Sequence, residues 1–290
     1  MIKIFRPVFR HLPLPFQFRL INRIELLYYD AGIGDSFLVG AVAREIKKKY
    51  GPKFIIVNGC HHEIFLNNPN VNQTGNAYRG IDLNYHRPQI FRGNFIRDMC
   101  RRLGINNPEN KVDLFITEDE VRWAKEKAKD YSHPFITIQT EAGGFSADRK
   151  LWDVEKWIEL VKMLSRRFTL IQLGGKQDRV IPGTVPLSGV LTIRQSAALI
   201  QQAQLHIGLV SSLMHVSNAM NTKAIILFGG FEKPEYHNYH NVSAIYSPVY
   251  CAPCITFNTK IPPCPNQKIC IKDITVEKVL NQVQNVLGIE

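Results

Sequence analysis

The sequence predicts an α/β protein made of two doubly wound, Rossmann-like domains facing a cleft. Three observations carry this reading. Continuous apolar runs rich in β-formers, such as "IELLYYD" (24–30) and "KFIIVN" (53–58), have the character of strands buried on both faces of a parallel sheet. Helical patterns separate such runs. The alternation occurs twice, before and after one charged helix, in a chain of 290 residues, a length that suits two domains. The expected division is 1–130 and 131–290.

Taken in order, the first strand is followed by a glycine turn and a helix over about 36–49. That helix buries Phe37, Val39, Ala41, Val42 and Ile46. Residues 61–92 read as loops with a short strand at "IDLNY". A helix over 93–103 stops at Gly104, and "KVDLFIT" (111–117) reads as a strand. The charged helix after it begins with a capping box, Thr117 with Glu120 three residues on. The second series has strands at 135–140, 169–175, 204–210 and 223–229. Its helices fall at 153–168, 193–203, 212–220 and about 275–287. The 153–168 helix is expected to start on Asp153 and to bury Val154, Trp157, Ile158, Val161 and Leu164.

The formal net charge of +11 suits an anionic partner such as phosphate or an acidic membrane surface. It does not point to nucleic acid. Lys47 to Lys49, Arg101-Arg102 and Arg166-Arg167 fall at helix C-terminal ends, where cations suit the helix dipole, and no aromatic-basic platform accompanies them. The first 23 residues interleave Lys3, Arg6, Arg10, Arg19 and Arg23 with Ile2, Phe5, Val8, Phe9, Phe16 and Phe18. Prolines break the segment, and no run reaches membrane-span length. It reads either as a peripheral anchor on an anionic leaflet or as a segment packed on the domain. With no secretory signal evident, the expected location is the cytoplasm, with a peripheral place on the inner face of the membrane.

Four stretches have the makings of a site. In "AGIGDSF", Gly32 and Gly34 shape a turn and Asp35 follows. The dinucleotide fingerprint fails because Phe37 stands where its third glycine belongs. Asp35 is then either a helix cap or a carboxylate free to act as a base. The loop "TEAGGFSADRKLW" (140–152) carries Lys150 and suits either a phosphate or solvent. In "GLVSSLMHVSNAM", Ser211 and Ser212 open a helix whose amides could hold an anion, with His215 one turn in. The late cysteines Cys251, Cys254, Cys264 and Cys270 form C-x2-C-x9-C-x5-C. They read as a structural zinc or iron site, or else as four buried thiols. Cys60 and Cys100 read as packed thiols.

The order of "GIGD", "RKLWDVEKWIELVKML", "LIQLGGKQD", "IRQSAALIQQAQLHIGLVSSLMHVSNAM", "AIILFG" and "YCAPC…C…C" resembles the family 9 glycosyltransferases, the heptosyltransferase family of lipopolysaccharide assembly. The resemblance runs from about residue 24 to the end and is thin over 60–92. It implies a glycosyltransferase B-type fold. It also implies inverting transfer of a sugar, a heptose from ADP-heptose first of all, without a catalytic metal. By the same resemblance Asp35 is the base and Lys150 holds the diphosphate. Ser211, Ser212, Leu213 and His215 bind the donor, and Asp178, after Gly174 and Gly175, reaches the nucleoside. Val210 and Ser212 stand where the family motif has aspartate and glycine, so the donor could differ. Glycan, lipid-linked and protein acceptors all stay open. A catalytically inactive nucleotide-sugar-binding relative is the alternative, and a nucleic-acid-binding protein ranks below it.

Overall fold

A computed structural model describes residues 13–29, 31–85, 91–131, 134–144, 147–255 and 263–289. The chain forms two compact units, Met1–Lys111 and Val112–Glu290. Among the described residues no helix is long and apolar enough to cross a membrane. The first half of the expected anchor, residues 1–12, lies outside the described residues.

The first unit opens with α1 (Leu14–Leu20) and holds β1 (Arg23–Leu27), α2 (Ile33–Tyr50), β2 (Phe54–Asn58), β3 (Gln73–Gly75), β4 (Ile81–Asp82) and α3 (Phe95–Arg102). Its strands run parallel in the order β3-β2-β1-β4. Helix α2 is buried continuously from Ser36 to Ile46. That continuity explains why its sequence lacks a polar face there. Two charged residues in this stretch, Arg44 and Glu45, satisfy each other at 2.8 Å, and Arg44 also donates to the Glu109 carbonyl at 2.9 Å. Such pairing is the usual condition for burying charge.

The second unit holds α4 (Glu118–Ala128), β5 (Phe135–Ile138), α5 (Val154–Leu164), β6 (Thr169–Gln172) and β7 (Val185–Pro186). It continues with α6 (Ile193–Gln202), β8 (Leu205–Leu209), α7 (Ser212–Ala219), β9 (Ala224–Gly229), β10 (Val242–Tyr246), α8 (Ile269–Lys272) and α9 (Val276–Leu287). The sheet is parallel throughout, in the order β10-β9-β8-β5-β6-β7. Trp157, Leu160 and Val161 of α5 and Val279 and Val283 of α9 pack into its core.

The structure departs from expectation at four points. Residues 111–117 form no strand. Val112 is buried, but its N–H donates to the Asn218 side chain at 3.0 Å, so a side chain takes the place of a ladder partner. Ile158 is 37% exposed and not on the buried face of α5. Asp153 occupies the N-cap position of α5 without a side-chain cap bond, and lies 3.5 Å from Lys156 instead. The units divide at Lys111–Val112, ahead of the expected residue 130. Tertiary contacts draw α4 into the second unit: the Arg194 guanidinium grips Glu120 at 2.7 Å on each carboxylate oxygen and donates to the Phe115 carbonyl at 2.8 Å. The capping box of Thr117 and Glu120 is present as read.

Two buried histidines make stability pH-dependent. Burial holds His206 on β8 down at about 3 and His215 well below its usual value of 6.5. The unfolded chain takes up protons below about pH 6.5 that the fold refuses. Stability is therefore full above that pH and falls on acidification, by up to about 1.4 kcal/mol per pH unit for each histidine. Urea midpoints at pH 7 and pH 5 will show the drop, and His206→Gln will flatten it. Equal midpoints at the two pH values would contradict it.

Candidate functional site

In an open parallel sheet, ligands bind beyond the carboxyl ends of the strands where the winding direction reverses. In the first unit that point lies between β1 and β4, and the loops leaving those strands carry Asp35 and Tyr85. Asp35 is the third residue of α2. Its Oδ2 accepts the Gly32 N–H at 2.9 Å, so Gly32 is the helix cap and the helix starts earlier than expected. Its Oδ1 accepts the Tyr85 hydroxyl at 2.6 Å. Tyr85 is wedged against Phe95 with ring centroids 4.2 Å apart and against Tyr28 at 5.6 Å. The Tyr28 hydroxyl lies beside both Asp35 and Tyr85. Burial first, then the Asp35 charge, push it far above the usual tyrosine range, so it stays neutral. Asp35 is thus a cap and a fixed, half-buried carboxylate at once. Each oxygen holds one donor and has a second lone pair to offer.

In the second unit the reversal lies between β5 and β8. The loop after β5 delivers Lys150, and the turn after β8 delivers Ser211 and α7. Lys150 Nζ sits 4.6 Å from the centre of the Phe231 ring and 3.5 Å from Glu232 Oε1. Glu232 Oε2 meets His237 Nε2 at 2.7 Å, and His215 Nδ1 meets the Tyr239 hydroxyl at 2.7 Å. The two imidazoles pack edge to face, centroids 5.2 Å apart. Burial alone would raise Glu232, but Lys150, then His237 and His215, outweigh it and hold its carboxyl at about 2. His215 is kept neutral by burial, helped by the charges of His237 and Lys150. Ser211 caps α7 without a side-chain cap bond, and its hydroxyl accepts from the Gln139 amide at 3.1 Å. Leu213 and Met214 are core residues, and Val210 is buried at 3% exposure.

A second loop at the same edge of this sheet holds Gly174, Gly175 and Asp178. Asp178 accepts the Gly175 N–H at 2.9 Å. Gly174 has φ +152°, and a Cβ there would lie 2.0 Å from the Asp178 carboxylate. Burial raises Asp178. Burial first, and then the Asp178 charge, raise Glu141, so two carboxylates share this loop end.

The four late cysteines are free thiols. Cys270 Sγ packs on Gly230, Cys264 Sγ accepts the Lys268 N–H at 3.2 Å, and Asn266 approaches Cys251 Sγ at 3.8 Å. Burial raises both Cys254 and Cys270, each with neighbouring cysteines adding to it. Among the described residues no three His, Cys, Asp or Glu side chains form a ligand set. Burial pushes Cys60 and Cys100 up to about 12, the state of packed thiols.

Sequence reading missed Tyr85, Glu232, His237, Tyr239 and Phe231. A signal existed for one group: "GGFEKPEYHNYH" follows a buried strand and packs a carboxylate between aromatics and histidines. Tyr85 had none, since only the crossover to β4 brings it to Asp35.

Comparison with known proteins decides the class. The profile of glycosyltransferase family 9 (heptosyltransferase) matches residues 76–264, well over half of the chain. The chain belongs to glycosyltransferase family 9. It is therefore a glycosyltransferase, and Asp35 lies ahead of the matched span. The structure is similar to the glycosyl transferase family 9 protein of Veillonella parvula, with TM-score 0.68, 14% identity, and 92% and 97% of the two chains covered. It is also similar to E. coli ADP-heptose lipopolysaccharide heptosyltransferase II, with TM-score 0.63, 15% identity, and 91% and 98% covered. A third likeness is to the iron-containing dodecameric glycosyltransferase TibC of enterotoxigenic E. coli, with TM-score 0.67, 16% identity, and 92% and 76% covered. A search of curated proteins gives no match. At these identities the structural likeness establishes the fold, a B-type glycosyltransferase architecture of two parallel sheets.

Proposed function

We propose that the protein transfers a sugar with inversion from a nucleoside diphosphate, ADP-heptose first of all, to a hydroxyl of a glycan, lipid-linked or protein acceptor. The observation that carries this is the Asp35 carboxylate, fixed by Gly32 and Tyr85 at the reversal point of the first sheet. A base must be positioned before its pKa matters. Asp35 would take the proton of the attacking hydroxyl while the diphosphate leaves from the opposite face of the anomeric carbon. Lys150 and the amides near Ser211 and Ser212 would stabilise the departing charge. Glu141 and Asp178 offer acceptors for nucleoside hydroxyls. Heptose and ADP are supported by TibC, a relative described in complex with ADP-D-β-D-heptose. Val210 removes the carboxylate of the family motif, while Glu232 brings one to Lys150. Incubation with ADP-heptose and candidate acceptors, read as ADP release and anomeric configuration, tests this. No release with any diphosphate sugar would favour the inactive-relative reading that Val210 motivates.

The same reading extends to two peripheral features. Phe16 and Leu20 stand exposed on α1 beside Arg19, which supports contact with an anionic membrane surface. The four cysteines are chemically apt for zinc or iron, since thiolates bind either and N–H groups already face Cys264 and Cys270. Cys251, Cys254, Cys264 and Cys270 would hold the ion, which would cross-link the loop and take no part in transfer. Elemental analysis of protein purified without chelator should find about one ion per chain. Cys254→Ser should lose it together with thermal stability, and a metal-free, fully folded wild type would refute the site.

A further inference from the structure

Beside Lys150 the second unit buries two titratable groups to which sugar transfer gives no role. Glu232 and His237 are each 6% exposed, so water does little to solvate a charge on either. They face each other at 2.7 Å through Glu232 Oε2 and His237 Nε2, and Glu232 Oε1 is turned to Lys150 at 3.5 Å. The cation assigned to the donor diphosphate therefore already has a carboxylate partner. A diphosphate that reaches Lys150 brings further negative charge up to one that is shut off from water. Like charges at close range oppose each other's ionisation.

Glu232 is not free to swing away from that approach. Its segment is pinned from the side of the cysteine loop: the Cys254 N–H donates to the Gly230 carbonyl and the Ile255 N–H to the Phe231 carbonyl, both at 2.9 Å. Downstream, the His237 N–H closes the turn Pro234–Tyr236 on the Pro234 carbonyl at 3.1 Å, which keeps the imidazole beside the carboxylate. Three more rings surround His237: His215 of α7 with centroids 5.2 Å apart, Tyr239 at 5.7 Å and Phe228 of β9 at 6.2 Å. Burial first of all keeps His215 neutral, and its Nδ1 meets the Tyr239 hydroxyl at 2.7 Å. Burial, then the Glu232 charge, hold the Tyr239 hydroxyl far above its usual range. A charge that is neither moved nor hydrated is relieved by a proton, and the Glu232–His237 contact is the place for it, as one coupled pair.

We propose that His237 is a positioning residue of the donor site: when the donor diphosphate takes Lys150, the Glu232–His237 pair takes up one proton from solvent along its Oε2–Nε2 contact. The proton cancels the charge that would otherwise repel the diphosphate and leaves Lys150 to the phosphates. It returns to solvent when the nucleoside diphosphate departs and Lys150 turns back to Glu232. No bond of the donor is made or broken in this step. The inference rests on Lys150 holding the diphosphate.

Calorimetry on the full chain, with ADP as the probe, reads that proton directly. At about pH 7.5 a terminal phosphate is nearly fully ionised. Titrations in two buffers of different ionisation enthalpy should then report uptake of about one proton per ADP bound. Affinity should rise as the pH falls, by up to about tenfold per unit, because the bound state holds the extra proton. A proton lost by ADP itself on meeting Lys150 would register with the opposite sign. His237→Gln and Glu232→Gln should each remove most of the uptake and flatten the pH dependence. A merely structural contact would move neither readout. ADP bound without proton uptake by the wild type, or undiminished uptake in either folded variant, would overturn the inference and leave Lys150 as the diphosphate's cation. If one variant does not fold, the wild type and the other variant decide. Failure to bind ADP at all would overturn the reading of Lys150 as well.

Discussion

Asp35→Asn will leave the first unit folded and reduce sugar transfer by about 10²- to 10⁴-fold, the usual contribution of a positioned general base. The asparagine oxygen can still accept the Gly32 N–H that Asp35 holds at 2.9 Å, and its amide can face the Tyr85 oxygen. What disappears is the negative charge at the helix N-terminus, a loss of about 0.5–1 kcal/mol in stability, and with it the capacity to take a proton. Circular dichroism and ADP release with saturating donor separate the two. Transfer at the wild-type rate would remove Asp35 from the chemistry and leave it a cap.

Lys150→Ala will have two effects that a second substitution can pull apart. Nucleoside-diphosphate affinity should fall about tenfold to a hundredfold, the scale of a lost charge-assisted contact. Stability should also fall, by about 3 kcal/mol, since Glu232 is left buried with its principal counter-charge gone. His237 still faces Glu232 at 2.7 Å and limits the damage. Adding Glu232→Gln removes the stranded charge, so the double variant should regain most of the stability and little of the affinity. Calorimetry with ADP beside urea unfolding reads both. If affinity returns with stability, Lys150 is a structural ion-pair partner. Unchanged affinity in the single variant would take it out of the donor site.

Much of this was legible along the chain, because the signals were local. A capping box is written within four residues, so Thr117 and Glu120 could be read directly. Buried parallel strands announce themselves as continuous apolar runs, and β1, β2, β5, β6, β8 and β9 all overlap such runs. The short edge strands β3, β7 and β10 lacked that signature, since an edge strand needs no long apolar run. Residues 111–117 show the reverse failure. Their apolar pattern is real, but it serves burial within the second unit, and Asn218 takes the Val112 N–H that a ladder would have used.

The sequence by itself determined the fold class, the glycine turn before Asp35 and the placing of Lys150 and Ser211 after strands. These follow from residue periodicity and backbone chemistry, which need only neighbours in the chain. Tertiary structure alone decided which groups meet. Tyr85 lies 50 residues from Asp35 and Glu232 lies 82 from Lys150. The first pair is joined where a parallel sheet reverses its winding, and the second joins the segments that leave β5 and β9. Whether Asp35 was a cap or a carboxylate with room to act was likewise a question of partners: the structure gives it both a helix to cap and a tyrosine to hold it.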